Sequence, residues 1–297
     1  MTAIQDTTVR APARTMSERL ARIAGRSPVH IILGLIGLVW LAPSVGLLIT
    51  SFRPSADMRA TGWWTVFFDP EFTLANYERV IAAEDMGSAF LNSLFITIPS
   101  TILPLLIASM AAFALAWVKF PFRDTIFLVI VALLMVPAQI GFIPLVVGFR
   151  ESGTGLLTSY GAVWMAHTAF ALPFGIFLLR NFFITLPRDL IEAARIDGAS
   201  NVGIFRTIVL PLSVPAIAAY GIFQFLWVWN DLLMALIYAQ SGAIQPMTVA
   251  VTRLLGTYAT EWSLLAAAAF LIMIVPLIVF ISLQRYFVQG LLAGSVK

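Results

Sequence analysis

Six long apolar stretches, separated by short polar segments, dominate the pattern of hydrophobic and polar positions along the chain. A helix needs about 20 largely apolar residues to cross a bilayer, because each residue advances it by about 1.5 Å. Each stretch reaches that length, so each predicts a membrane-spanning helix. The predicted spans cover residues 29–51, 89–118, 124–148, 160–180, 212–239 and 263–284.

The composition favours a membrane protein over a soluble one. At roughly 150 residues per soluble domain, the 297 residues would make two domains, but 60% of them are apolar and only 11% are charged. Soluble domains carry about 25% charged residues, so much of this surface must face lipid. The absence of cysteine excludes disulfides, thiolate nucleophiles and Cys-ligated metal sites. The predicted fold class is an all-α membrane protein with six transmembrane helices.

The basic residues are distributed unevenly between the two sides of the membrane. Thirteen of the eighteen Lys and Arg residues lie in the two terminal segments and in the loops on their side. Because basic residues accumulate in cytoplasmic loops, both termini are predicted to be cytoplasmic. This pattern does not indicate a nucleic-acid partner. We expect a basic tail at residues 1–28 with an interfacial helix at 17–26, a transmembrane domain at 29–284, and a cytoplasmic tail at 285–297. The first apolar stretch is too long for a signal-peptide core, so we interpret it as an uncleaved span.

Half of the sixteen prolines fall inside the predicted spans. An interior proline removes a backbone hydrogen bond and kinks a helix unless its neighbours compensate. Kinked spans are typical of helices that surround a cavity or move, so they favour a transport function over a simple anchor. The eight residues are Pro43, Pro99, Pro104, Pro137, Pro144, Pro173, Pro215 and Pro276.

The segment 186–211 predicts two short helices joined by a turn. Pro187 suits a first helical turn, Gly198 a left-handed C-terminal stop, and Ser200 the cap of the second helix, which we expect to end at Pro211. The apolar residues along one side of that helix are Val202, Phe205 and Val209. By periodicity alone, the segment could equally be an amphipathic connector that rests on the lipid surface.

The residue spacing in this segment resembles the EAA loop of the membrane subunits of ABC-type importers. Glu192-Ala193-Ala194 is followed by three residues, Gly198, nine residues and Ile208-x-Leu210-Pro211, without a gap. Weaker similarities extend over nearly the whole chain from about residue 28 and point to the carbohydrate-uptake branch, in particular to the six-span partner of maltose-type and α-glucoside permeases. They comprise Ser51-Phe52-Arg53-Pro54, Asn92-Ser93, Trp229-Asn230-Asp231 and the C-terminal residues 284–297.

The resemblance implies a type I importer permease fold whose EAA loop forms a coupling helix seated on a cytoplasmic ATPase. Small residues there permit close backbone approach, while charged ones can make charge-assisted hydrogen bonds. The residues it assigns to coupling are Glu192, Ala193, Ala194, Arg195, Asp197, Gly198, Phe205, Leu210 and Pro211. The sequence holds no G-x-x-x-x-G-K-[ST] phosphate loop, so we expect a non-enzyme without a bound cofactor, with ATP and Mg²⁺ in the partner ATPase.

The resemblance also implies a set of partners in a bacterial inner membrane. They are a second, related permease chain, two ATPase subunits and an extracytoplasmic solute-binding protein. Residues 52–88 and 240–262 are the candidate docking surfaces for the binding protein, although either could be an ordinary solvated loop.

Polar and aromatic residues inside the spans are candidates for the sugar path. Sugars are bound through hydroxyl hydrogen bonds and by packing on aromatic rings. Helical spacing places Tyr220, Gln224, Trp227 and Asp231 on one face of the fifth span, and Tyr160, Trp164 and His167 on one face of the fourth. The path candidates are Asn92, Gln139, Gln224, Trp227, Asn230 and Asp231. Structural roles are the alternative: Asp231 could cap a helix, and His167 could donate to a backbone carbonyl.

Three other functions remain open from the sequence. The importer could carry a polyol, amino acid or polyamine in place of a sugar. An ion-coupled secondary transporter would also use bent helices, but it predicts inverted repeats and a central ionisable relay, which the sequence does not display. A membrane scaffold would tolerate a bulky residue at position 198.

Overall fold

The computed structural model describes residues 16–82 and 85–293, with side chains at 28–82 and 85–285. Its elements are helices joined by short loops. The α-helices are α1 Met16–Phe52, α2 Ser55–Ala60, α3 Ala75–Ala82, α4 Met86–Trp117, α5 Arg123–Leu133, α6 Gln139–Glu151, α7 Tyr160–Phe183, α8 Arg188–Ile196, α9 Asn201–Ile204, α10 Leu210–Leu212, α11 Val214–Trp229, α12 Leu233–Tyr238, α13 Met247–Thr257 and α14 Trp262–Ala293. Short 3₁₀ helices lie at Trp63–Phe67, Leu156–Thr158 and Gly242–Ile244, and a π-helical turn at Phe205–Val209.

Four helices within the described ranges are long and apolar enough to cross a membrane. They are Pro28–Phe52, Met86–Trp117, Tyr160–Phe183 and Trp262–Arg285. A fifth crossing is possible where Asn201–Leu212 and Val214–Trp229 meet at a bend of 78°. Within the described ranges the fold is therefore all-α with four or five apolar helices of spanning length, and the predicted count of six spans is not confirmed there.

The expectation of one continuous helix over residues 124–148 is wrong. The chain leaves the helix after Leu133 and resumes at Gln139, so α5 and α6 have 11 and 13 residues. Pro137 explains the interruption, because proline cannot donate a backbone hydrogen bond and disfavours helical geometry at the preceding Val136. Neither half alone reaches the length of a membrane span.

The fifth predicted span is also divided. Helix α11 ends at Trp229, and α12 begins only at Leu233. The second helix of the 186–211 segment does not end at Pro211 but continues to Leu212. It passes the proline because the preceding π-helical turn has already shifted the hydrogen bonds, with the Leu210 amide donating to the Phe205 carbonyl.

The terminal helices extend beyond the predicted spans. Helix α1 runs unbroken from Met16 to Phe52. Residues 17–26 are therefore part of the same helix as the first span and do not form a separate helix. Residues 1–15 of the predicted tail lie outside the described residues. Helix α14 continues to Ala293, past the predicted boundary at 285, and residues 294–297 also lie outside the described part.

Helices α4, α7, α11 and α14 form the centre of the fold. The crossing of α7 and α11 is tight at Gly175, where a Cβ atom would overlap the ring of Tyr220. That ring is buried, and its hydroxyl donates to the Ala171 carbonyl over 3.1 Å. The absence of a side chain at Gly175 therefore sets how closely the two helices approach.

We expect Gly175→Ala to destabilise the chain by about 1–3 kcal/mol, because the added methyl must displace a buried, hydrogen-bonded ring. Thermal unfolding in detergent measures the loss as a lower Tm. Gly148→Ala on α6 is the matched control, since nothing lies within 4 Å of the Cβ position there. Equal Tm values for the two variants would contradict the proposed role of this crossing.

Candidate functional site

The segment 186–211 forms the predicted helix, turn and second helix. Gly198 ends the first helix in the left-handed conformation, with φ +81°. Two backbone hydrogen bonds close the turn, as in glycine-terminated helices. The Gly198 amide donates to the Arg195 carbonyl at 3.1 Å, and the Ala199 amide donates to the Ala194 carbonyl at 2.9 Å. The Ser200 hydroxyl accepts from the Gly203 amide at 3.1 Å, which confirms the cap of the second helix. Pro187 precedes the first helical turn and does not lie within it.

Buried apolar side chains fix this segment to the transmembrane helices. Ile191, Ile204 and Val209 pack in one cluster with residues of α4 and α7, and the Phe205 ring lies 5.2 Å from that of Phe113. Val202, expected on one side of the second helix with Phe205 and Val209, is exposed, whereas Val209 is buried and Phe205 half-buried. The π-helical turn changes the helical periodicity, so a regular 3.6-residue pattern does not identify the buried positions.

Arg195 is exposed, but its guanidinium also makes a hydrogen bond within the chain. Its Nη2 donates to the Trp117 carbonyl at the end of α4, over 2.6 Å. The Trp117 indole in turn donates to the Phe183 carbonyl at the end of α7, over 3.1 Å. These two bonds connect α8 to the ends of two long helices, so the segment and these helices are held as one unit.

The opposite face of α8 is open. Glu192, Ala193 and Asp197 are exposed, Ala194 is half-buried, and Ile196 is 87% exposed. Further along, Leu210 is half-buried and Pro211 is exposed. Ile196 is not among the residues assigned to coupling from the sequence, although a bulky apolar residue directly before the Asp197-Gly198 stop is a usable signal. An exposed apolar side chain ringed by charged and small residues is the chemistry of a protein-binding surface.

Two of the sugar-path candidates have structural roles. Asn92 Nδ2 donates to the carbonyls of Ala243 and Gln245 at 2.9 and 3.0 Å, and its Oδ1 accepts from the Tyr160 hydroxyl at 2.6 Å. Gln224 Nε2 donates to the Ser100 carbonyl at 3.0 Å. Both side chains are buried and join distant parts of the chain.

The prediction that Tyr220, Gln224, Trp227 and Asp231 share one helix face is wrong. The first two are buried against α7 and α4, whereas Trp227 is 68% exposed. Because α11 ends at Trp229, helical periodicity does not extend to Asp231.

Asp231 lies in the interruption between α11 and α12, where its carboxylate and its backbone carbonyl both accept hydrogen bonds. Its Oδ2 accepts from the Ala235 amide in the first turn of α12 at 3.2 Å, although the N-cap residue of that helix is Leu232. The Thr248 hydroxyl donates to its carbonyl at 2.9 Å. His167 Nε2 lies 3.9 Å from the same carboxylate, so the buried histidine faces Asp231 and not the backbone carbonyl considered from the sequence. The neighbouring Asn230 is exposed.

The interruption between α5 and α6 is the second irregular stretch at a predicted span. Among the residues that the structure describes, none donates a hydrogen bond to the carbonyls of Leu134, Met135 and Val136. Gln139, the remaining path candidate, is exposed at the start of α6. Polar backbone and an amide side chain therefore lie together on an open surface.

Arg79 and Glu261 join α3 to the residue before α14, with Nη1 and Oε2 2.7 Å apart. The hydrogen bond to Glu261 raises the pKa of Arg79, and the same bond lowers the pKa of Glu261. Both groups are therefore charged at neutral pH, and the pair orders the surface formed by these two segments.

Comparisons with known proteins agree with this architecture. Residues 104–292, more than half of the chain, match the family described as "Binding-protein-dependent transport system inner membrane component". The chain is 51% identical to the osmoprotective compounds uptake permease protein GgtD of Synechocystis sp., over 91% of this chain and 92% of the relative. It is 48% identical to the alpha-glucoside transport system permease protein AglG of Rhizobium meliloti, over 83% and 68% of the two chains.

A solved structure shares the fold. One chain of a bacterial ABC transporter involved in the import of the acidic polysaccharide alginate superposes with a TM-score of 0.65 at 16% identity, over 92% of this chain and 99% of that one. The expectation of a permease subunit, and not an enzyme, is confirmed by the family match. The chain belongs to the inner-membrane components of binding-protein-dependent transport systems.

Proposed function

We propose that this chain forms half of the membrane pathway of an ATP-driven sugar importer in a bacterial inner membrane, with both termini in the cytoplasm. The observation that carries the proposal is the arrangement of α8: one face is buried and tied to α4 and α7, and the other presents Ile196 and Glu192 outward. A surface that is exposed yet fixed to long helices suits the transfer of motion from a partner.

The partner that moves α8 is a cytoplasmic ATPase. ATP and Mg²⁺ bind there, and closure of two such subunits carries the docked α8 with it. Ile196 would enter an apolar pocket of the ATPase, while Glu192 and Asp197 bond to its rim. Arg195, tied to the Trp117 carbonyl, passes the displacement to α4 and α7.

The two helix interruptions line the pathway. Non-helical backbone at membrane depth is tolerated only where protein or a water-filled cavity covers it. The free carbonyls at 134–136 and the exposed Gln139 and Asn230 would therefore face the second permease chain and the solute. Amides and carbonyls are suitable partners for sugar hydroxyls. Trp227 supplies an exposed aromatic ring for the apolar face of a sugar.

The proposed cargo is a glucoside or short oligosaccharide. This choice rests on the α-glucoside and arabinooligosaccharide permeases among the relatives. The relative with 51% identity is named for osmoprotective compounds, so a small osmolyte is the second candidate. Binding of labelled α-glucosides and of osmolytes by the cognate solute-binding protein separates the two.

Reconstitution into proteoliposomes tests the transport mechanism. The chain, its partner permease and the ATPase, with binding protein added outside, should accumulate labelled sugar only when ATP is enclosed. Accumulation by the chain alone on an ion gradient would establish a secondary transporter and overturn the proposal.

Glu192→Lys should weaken capture of the ATPase by the purified permease about tenfold. The substitution removes a carboxylate that can accept hydrogen bonds and introduces a positive charge, which repels any basic group of the partner. The affinity is measured by pull-down over a range of ATPase concentrations. Arg188→Lys, at the start of the same helix, keeps the charge and serves as the control. Unchanged capture by Glu192→Lys would contradict docking through this face.

A further inference from the structure

Residues 53–74 fold back along the end of α1. The Thr73 amide donates to the Phe52 carbonyl at 2.7 Å, which holds residue 73 level with the helix end. Trp63 packs deeper: a Cβ at Gly46 would lie 2.8 Å from its Nε1. Because Gly46 lies about 9 Å before Phe52 along the helix axis, the Trp63 indole lies inside the length of the apolar helix Pro28–Phe52.

A buried arginine fixes this fold-back. Arg53 is 1% exposed, and its guanidinium donates to the Asp69 carbonyl and, at 3.5 Å, to the Thr65 hydroxyl. It also pairs with the Asp57 carboxylate at 3.5 Å. Asn76 Nδ2 donates to the Arg53 carbonyl at 2.8 Å. The segment is therefore held in place against α1 by several polar contacts.

The outward side of the fold-back is aromatic. Residues 60–68 contain no charged side chain, and the exposed carboxylates Asp69 and Glu71 lie between Phe68 and Phe72. The exposed rings are Trp64 at 59%, Phe67 at 75%, Phe68 at 89% and Phe72 at 62%. So large an exposed aromatic surface indicates a contact with lipid or protein and not with water.

We propose that these four rings, the aromatic fold-back, form an anchor in the lipid of the leaflet at the Phe52 end of α1. Two observations select lipid as the occupant. The contacts to Gly46 and Phe52 set the segment at the depth where a membrane meets water, which tryptophan and other large aromatic side chains favour. The surface is also continuous with that of the apolar helix Pro28–Phe52. Only 6% of the apolar stretch of that helix is buried inside the protein.

This anchor does not depend on the proposed cargo or on ATP coupling. In the proposed orientation it lies in the outer leaflet. It removes residues 63–72 from the surface 52–88 considered for the solute-binding protein, and leaves α3 and residues 240–262 for that contact.

The absence of cysteine from this chain means that it adds no background to site-directed spin labelling, and the complex without an introduced cysteine measures any signal from the other subunits. Phe68→Cys and Phe72→Cys report on the anchor, and Glu78→Cys on the exposed face of α3 is the matched aqueous control. The labelled chain, with its co-purified subunits, is placed in lipid nanodiscs. Collision rates with oxygen, which enriches in lipid, and with a neutral nickel chelate, which stays in water, are then measured.

At positions 68 and 72 we expect high oxygen and low nickel accessibility, unchanged when the solute-binding protein is added. Position 78 should show the reverse preference before the binding protein is added. High nickel accessibility at 68 and 72 would overturn the proposal in favour of a solvated loop. Low accessibility to both reagents would show a protein contact in the assembled complex, and a fall only after addition of the binding protein would show a docking site. Uptake measured on the same variants reports separately on the transport function.

Discussion

Gly198→Val is expected to reduce ATP-dependent uptake about tenfold or more while the chain still reaches the membrane. The backbone at Gly198 has φ +81°, a conformation that costs a residue with a side chain about 1–2 kcal/mol and is worse for a β-branched one. Nothing lies within 4 Å of the Cβ position, so the variant introduces backbone strain and no clash within the chain. Relief of that strain shifts the end of α8, the surface proposed to receive the ATPase.

Gly198→Asn is the matched control, because asparagine tolerates the left-handed conformation better than other residues. From highest to lowest, the expected order of uptake for residues at position 198 is Gly, Asn, Ala and Val. Each rate is normalised to the amount of chain in the membrane. Wild-type uptake by Gly198→Val would contradict the coupling role and favour a scaffold. Equal losses for Asn and Val would mean that the backbone conformation is not the cause.

Local chemistry made parts of this segment predictable. The left-handed stop at Gly198 and the cap at Ser200 depend on residues within four positions of each other, so the sequence contains what determines them. The buried side of the second helix was not predictable in the same way. A π-helical turn is stabilised by packing around it, and here it follows α9, in which Val202 is exposed.

The prolines show the limit of residue-based prediction. Pro99, Pro104 and Pro173 lie inside unbroken helices, whereas Pro137 lies in an interruption. The residue type is the same at all four positions. What differs is whether neighbouring helices and side chains compensate for the lost hydrogen bond, and that information lies in the tertiary structure.

The polar residues of the spans show the same limit. Asn92 bonds to carbonyls more than 150 positions away, and Gln224 to one 124 positions away. Helical spacing indicates which residues share a face, but not which of them already have partners. The path candidates that remain exposed are Gln139, Trp227 and Asn230, although Asn230 Nδ2 already donates to the Leu226 carbonyl at 2.8 Å.

Two isoleucines in α8 distinguish folding from partner binding. Ile191 is buried in the cluster with α4 and α7, whereas Ile196 is exposed on the opposite side of the same helix. Ile196→Asp should therefore leave the level and Tm of the chain unchanged. It should weaken ATPase capture at least tenfold, because burying an apolar side chain of this size contributes about 1.5–3 kcal/mol and burying an unpaired carboxylate opposes binding.

Ile191→Asp should act in the other way, lowering the amount of folded chain before any partner binds, because it places a charge inside the cluster that anchors α8. Ile196→Val, which keeps an apolar side chain, should retain most of the capture. The measurements are membrane level, Tm in detergent and ATPase affinity for each variant. If the Ile196→Asp chain unfolds, this residue stabilises the fold of the segment. If that chain binds the ATPase normally, the ATPase contacts a different part of the permease. Only a stable chain that fails to bind supports docking through the exposed face of α8.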